Sequence, residues 1–202
     1  MKSSNLYKIL IFFILLIPGC GSPHIANLYS SGSTIVCFGD SITSGTGASE
    51  GEDYPAYLSK LLKKDVINAG TEGDTTASAL DRLDRDVLGR DPYIVIVELG
   101  GNDFLEQIPR KDTLENLKAI ISRIQDRGAM VVLCDMSSGF ILSGYRSGYK
   151  MLAREKGCIF VPRLLEGILI NTFLMHDQVH PNSAGYKIIA KRIYVAIAPY
   201  IK

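Results

Sequence analysis

Three short stretches, far apart along the chain, hold the residues suited to chemistry: Gly39-Asp40-Ser41-Ile42-Thr43, Gly100-Gly101-Asn102-Asp103 and Asp177-Gln178-Val179-His180-Pro181-Asn182. Together they offer a hydroxyl, a side-chain amide, a carboxylate and an imidazole. A hydroxyl is a weak nucleophile until a neighbouring base takes its proton, and imidazole is the base suited to near-neutral water. A carboxylate can orient that imidazole. An amide N–H can hold the charge that develops on an attacked carbonyl. The set is the one that acyl transfer through a serine requires: Ser41 as nucleophile, His180 as base, Asp177 as its partner and Asn102 as oxyanion donor.

The spacing supports these roles. Asp177 and His180 stand three apart, and Pro181 keeps a helix from running through them. On such a turn the carboxylate can reach one ring nitrogen and leave the other for the serine. His176 and His180 also form an i, i+4 pair of the kind that binds metal on a helix, but the proline breaks the helix and nothing else supplies ligands. With no CxxC pair either, the expectation is no metal. Thr71-Glu72-Gly73-Asp74-Thr75 is a weaker signal. Gly73 can offer a further oxyanion N–H, or be a plain loop glycine ahead of a helix capped by Asp74 or Thr75. Gly47-Ala48-Ser49-Glu50-Gly51 matches G-x-S-x-G, but that motif needs a strand before it and a helix after it. It lies in a polar loop, so Ser49 is read as a loop residue.

The elements that must position these groups alternate. Strands are expected at 34–38, 65–68, 93–99, 129–134 and 158–161, and helices at 54–63, 75–88, 113–127, 145–156 and 183–198, the last capped by Asn182 or Ser183. Tyr93–Leu99 is nearly continuous in apolar residues, as a strand buried on both faces must be. A β-α alternation of this kind gives a parallel sheet with helices on both faces. Ligands bind at the carboxyl ends of such strands, so Ser41, Gly73 and Asn102 come to one edge.

On these residues the chain resembles the SGNH (GDSL-type) esterases and lipases. Gly39-Asp40-Ser41, Gly73, Gly100-Gly101-Asn102-Asp103 and Asp177-x-x-His180-Pro181 match the four blocks of that family across residues 34–200. Val97–Asp103 and Gly73-Asp74-Thr75 look most like its bacterial acyl-thioesterase I, lysophospholipase L1 and arylesterase branch. The resemblance implies a flavodoxin-like three-layer α/β/α sandwich with a parallel five-stranded sheet. It implies a triad of Ser41, His180 and Asp177, an oxyanion hole from the Ser41 and Gly73 N–H groups and the Asn102 side chain, and no cofactor. The expected substrate is an acyl or aryl ester. An O-acetylated carbohydrate is the alternative, and a non-catalytic lipid- or glycan-binding protein the competing class. Phe140, Ile141 and Leu142, with Thr172-Phe173-Leu174-Met175, can line an acyl pocket or pack in the core.

The remaining features concern location. Lys2 and Lys8 precede the apolar run Ile9–Ile17, which is short for a membrane span and suits a signal peptide over residues 1–19. Ile17-Pro18-Gly19-Cys20 resembles a bacterial lipobox, so Cys20 is the expected lipidation site, residues 20–33 a tether, and residues 34–202 the domain. An ordinary cleaved signal or an uncleaved anchor are the other readings. The expected setting is the bacterial envelope, with the membrane as a partner through the anchor. A net charge of +1 over 202 residues gives no electrostatic case for nucleic acid, and a monomer is expected. Cys37, Cys134 and Cys158 are expected as free buried thiols, with Cys134–Cys158 the one pair worth checking.

Overall fold

Runs rich in valine and isoleucine alternate with segments of helical period, and the computed structural model, which describes residues 24–137 and 143–201, turns them into strands and helices in that order. The strands are β1 (Thr34–Gly39), β2 (Val66–Gly70), β3 (Pro92–Glu98), β4 (Met130–Cys134) and β5 (Ile159–Val161). The helices are α1 (Ser41–Ser44), α2 (Tyr54–Leu62), α3 (Thr76–Asp86), α4 (Gly101–Leu105), α5 (Arg110–Asp126), α6 (Ser143–Lys156) and α7 (Ser183–Ile197). All strand pairs are parallel, in the order β2-β1-β3-β4-β5. The chain therefore reverses its direction of winding between β1 and β3, and the crevice at their carboxyl ends is where such sheets take ligands.

Successive strand residues face opposite layers. Ile35, Cys37, Ile94 and Ile96 pack with Tyr54 and Leu58 of α2 and with Tyr186, Ile189 and Ile193 of α7. Val36, Phe38, Val95 and Val97 pack with α3, α5 and α6 through Leu83, Leu117, Ile121 and Leu152. The expected three-layer sandwich is the observed one. The same alternation separates two thiols. Cys134 belongs to the first layer and Cys158 to the second, and all three described cysteines are free and buried.

Boundaries differ from expectation where local chemistry is subtle. The helix expected to run to Leu88 ends at Asp86, and Leu88–Arg90 tightens into a 3-10 turn. The helix expected from Thr113 begins at Arg110, directly after Pro109. Helices α1 and α4 have no counterpart among the expected elements, because five residues or fewer show no period.

The stretch expected to be a tether is, from His24 onward, laid along the amino-terminal edge of the sheet. Ala26 N–H donates to Gly157 O (2.9 Å), Asn27 Nδ2 donates to Gln125 O (2.8 Å) and Ala129 O (3.0 Å), and Ser33 N–H donates to Asp91 O (3.0 Å). Gly157, Ala129 and Asp91 lie just before β5, β4 and β3. Residues 1–19 and Cys20 are outside the described residues, as are Phe140, Ile141 and Leu142.

Candidate active site

Immediately after β1 the chain turns at Asp40, whose carboxyl Oδ1 accepts the Ile42 N–H (2.9 Å) and caps α1. Ser41 is the first residue of that helix, and its N–H has no acceptor among the described residues. Asp40 is buried, and burial raises its pKa to about 6. After β3 the chain enters α4, which carries Asn102 and Asp103. Asp103 is buried and accepts the Thr76 N–H (2.8 Å) and the Thr76 hydroxyl (2.5 Å). Asn102 Nδ2 donates to Asp74 O (2.8 Å). These bonds tie the turn after β3 to the loop after β2, which carries Gly73.

Gly73 has φ +76°, and a Cβ there would meet nothing within 4 Å. Glycine is thus required by the backbone angle rather than by space. Its N–H also has no acceptor among the described residues. Thr75, one of the two caps expected, is the N-cap of α3, and Asp74 has a different task. It pairs with Arg82 Nε (2.5 Å), while the same guanidinium donates to Gly39 O and Ala69 O (3.0 Å each). Arg82 therefore joins the ends of β1 and β2 to the Gly73 loop. Sequence reasoning missed it because an arginine inside a helical period reads as a solvated side chain.

The last loop is pinched at its base, where Asn182 N–H donates to Leu174 O (2.9 Å) and His176 N–H to His180 O (2.9 Å). Asn182 then caps α7 through the Ala184 and Gly185 N–H groups. Within the loop, Asp177 Oδ1 accepts the N–H groups of Val179 and His180 at 2.8 Å each. Its Oδ2 lies 2.7 Å from His180 Nδ1, and His180 Nε2 lies 3.0 Å from Ser41 Oγ. The His180 ring, followed by the two backbone donors, holds the Asp177 carboxyl below the ordinary carboxylate range. Both ring nitrogens of His180 are engaged, while His176 lies against Gly47. Ser49 is exposed and gives its N–H to Ser183 Oγ (3.1 Å).

Ser41, Gly73, Asn102 and His180 line one cleft of about 700 Å³. Most of the rest of its lining is apolar, from Phe104, Leu105, Met136, Leu165, Leu169 and Val179, with Thr46, Glu72 and Gln178 among the polar part. Of the residues near the base that could line a pocket or pack in the core, Leu174 and Met175 pack against the core, while Phe173 is 87 % exposed. Most of the apolar wall comes from α4 and from the segment after β5, with Met136 added after β4 and Val179 from the catalytic loop.

Residues 37–188 match the model of the GDSL-like lipase/acylhydrolase family. The chain is 26 % identical to an esterase, TesA, of Pseudomonas aeruginosa over 93 % of this chain and 98 % of that protein. It is 30 % identical to an arylesterase of Vibrio mimicus over 78 % of this chain and 84 % of that one. A crystal structure of TesA superposes with a TM-score of 0.78 at 27 % identity, covering 83 % of this chain and 99 % of that one.

Proposed function

Because the chain belongs to the GDSL-like lipase/acylhydrolase family and is a serine esterase of that family, we propose that Ser41 is its nucleophile, His180 its general base and Asp177 the group that orients the base. The observation that carries this reading is the 3.0 Å approach of His180 Nε2 to Ser41 Oγ, with Nδ1 held by Asp177 at 2.7 Å. His180 takes the Ser41 proton as Oγ attacks the ester carbonyl. The charge that collects on the carbonyl oxygen is met by the Ser41 and Gly73 N–H groups and the Asn102 amide. His180 then gives its proton to the leaving alcohol, and the acyl group remains on Ser41. Water, losing a proton to the same nitrogen, releases the acid and restores the serine.

The apolar walls of the cleft favour an ester with a hydrocarbon acyl or aryl group over a polar acetylated sugar. A fluorophosphonate probe tests the nucleophile: it labels the wild-type chain at Ser41, fails on Ser41→Ala and still labels Ser49→Ala. A series of p-nitrophenyl esters from acetate to palmitate, run beside an acetylated glycan, tests the substrate class. Hydrolysis of the glycan alone would overturn the apolar-ester reading.

We further propose that the chain is carried to the bacterial envelope by a signal peptide ending at Gly19 and held there by lipid on Cys20. The support is the basic n-region, the apolar run Ile9–Ile17 and the lipobox-like Ile17-Pro18-Gly19-Cys20. Mass spectrometry of the mature N-terminus reads this directly. An unmodified Cys20 in a freely soluble product would refute it.

A further inference from the structure

Beneath the nucleophile lies a second carboxyl that the reaction described above does not use. Glu98, the last residue of β3, is completely buried. Its Oε2 is 2.6 Å from the Thr43 hydroxyl, which is itself 2.9 Å from the Tyr54 hydroxyl. Thr43 and Tyr54 are also completely buried. Oε2 stands so close to the chain just ahead of Ser41 that a Cβ on Gly39 would lie 2.6 Å from it. The other oxygen, Oε1, has no hydrogen-bond partner among the described residues.

An ionised carboxylate taken from water needs a cation or a full set of donors. Glu98 has neither. The groups that feel its charge are Cys37 and Asp40 from the β1 side, Tyr54 of α2, Cys134 of β4, Tyr149 of α6 and Tyr186 of α7. Every one is an acid, and none supplies a positive charge. Burial first, and the Asp40 carboxyl second, drive the Glu98 pKa well above the usual range.

We propose that Glu98 is a neutral, protonated acid that acts as a positioning residue, fixing α1 and with it Ser41 through Thr43. Helix α1 has only four residues, too few to hold its own direction. Asp40 fixes its start and the Glu98–Thr43–Tyr54 chain fixes its buried side. Because Glu98 is neutral, it holds the helix without adding a second negative charge below the forming oxyanion. The proposal rests on the esterase reading only for its kinetic part.

Infrared difference spectra between the wild-type chain and Glu98→Gln test the protonation state. At neutral pH the wild type shows a protonated-carboxyl band that the glutamine variant lacks. No such difference would overturn the proposal. In kinetics, Glu98→Gln preserves a neutral group of the same shape and keeps kcat within about threefold. Glu98→Leu and Thr43→Val each lose the contact and lower kcat tenfold or more with KM little changed, and combining Glu98→Gln with Thr43→Val is no worse than Thr43→Val alone. Thr43→Val probes the same contact should Glu98→Leu fail to fold. A glutamine variant as impaired as Thr43→Val would show that a charge is required and would refute the neutral acid. Ester turnover by the wild type tests the esterase reading by itself, and the infrared band decides Glu98 whether or not that turnover is found.

Discussion

Replacing Asn102 with alanine removes two interactions of different kinds, and their sizes differ enough to be told apart. One amide N–H is spent on Asp74 O at 2.8 Å and links the turn after β3 to the Gly73 loop. Asn102 is only partly buried, so water can replace that bond, and its loss costs about 1 kcal/mol of stability. The second N–H is the one proposed for the oxyanion. A donor that strengthens only as charge develops contributes about 3–4 kcal/mol to the transition state, or on the order of 10²–10³ in kcat. KM should change little, because the ground-state carbonyl is weakly held. Asn102→Asp should be worse than alanine, since it faces the oxyanion with a second negative charge. The assay is steady-state hydrolysis of a soluble p-nitrophenyl ester, with active sites counted by fluorophosphonate so that misfolded protein does not dilute kcat. A kcat within threefold of wild type, or a loss carried wholly by KM, would remove Asn102 from the oxyanion hole.

Asp40→Asn keeps a capping side chain but removes a carboxyl whose pKa is raised from 3.8 to about 6. A raised acid stabilises the fold fully below its unfolded pKa and loses that contribution as pH rises through the folded one. Denaturant midpoints should therefore fall from pH 4 to pH 7 in the wild type by more than in the variant, and equal slopes would refute the shift. Arg82→Met leaves Asp74 buried and unpaired, which should cost about 3–5 kcal/mol in a chemical melt. A loss below about 1 kcal/mol would show that the Arg82 network does not hold the loops. Leu169→Trp fills the apolar wall of the cleft and should lower kcat/KM for octanoate relative to acetate esters. An unchanged ratio would place the acyl chain elsewhere.

The residues proposed as nucleophile, base and orienting carboxylate could be picked out because each sits beside a local signal that survives without context. Ser41 follows a buried strand, Asn102 follows two glycines, and Asp177 and His180 flank a turn that Pro181 enforces. That the sheet is parallel follows from the alternation of strands and helices. The groups that were not legible are defined by partners distant in sequence. Glu98 looks like one polar residue closing an apolar strand until Thr43, fifty-five residues away, is seen against it. Arg82 reads as an exposed helix residue until the carbonyl of Gly39 arrives. Leu105, Leu165 and Leu169 have no pattern that separates a cleft wall from a core. Phe173 misled in the opposite sense, since nearness in sequence to the catalytic loop did not bring it into the cleft.

The docking of residues 24–33 along the amino ends of the strands fixes which way the enzyme looks. Ser41 lies at the carboxyl ends, so residues 24–33 and the cleft occupy opposite poles, separated by the length of β1, roughly 20 Å for six residues. Only three residues separate Cys20 from His24, four Cα-to-Cα steps with a reach of at most about 14 Å. Lipid on Cys20 would therefore hold the domain with its back to its own bilayer and its cleft turned outward. A lipid in that leaflet would lie on the wrong side of the molecule, and the esters within reach would be those arriving from the water or borne on a surface facing the membrane. Lengthening this three-residue connection with a flexible insert would let the domain turn over, and would open the anchoring leaflet to it.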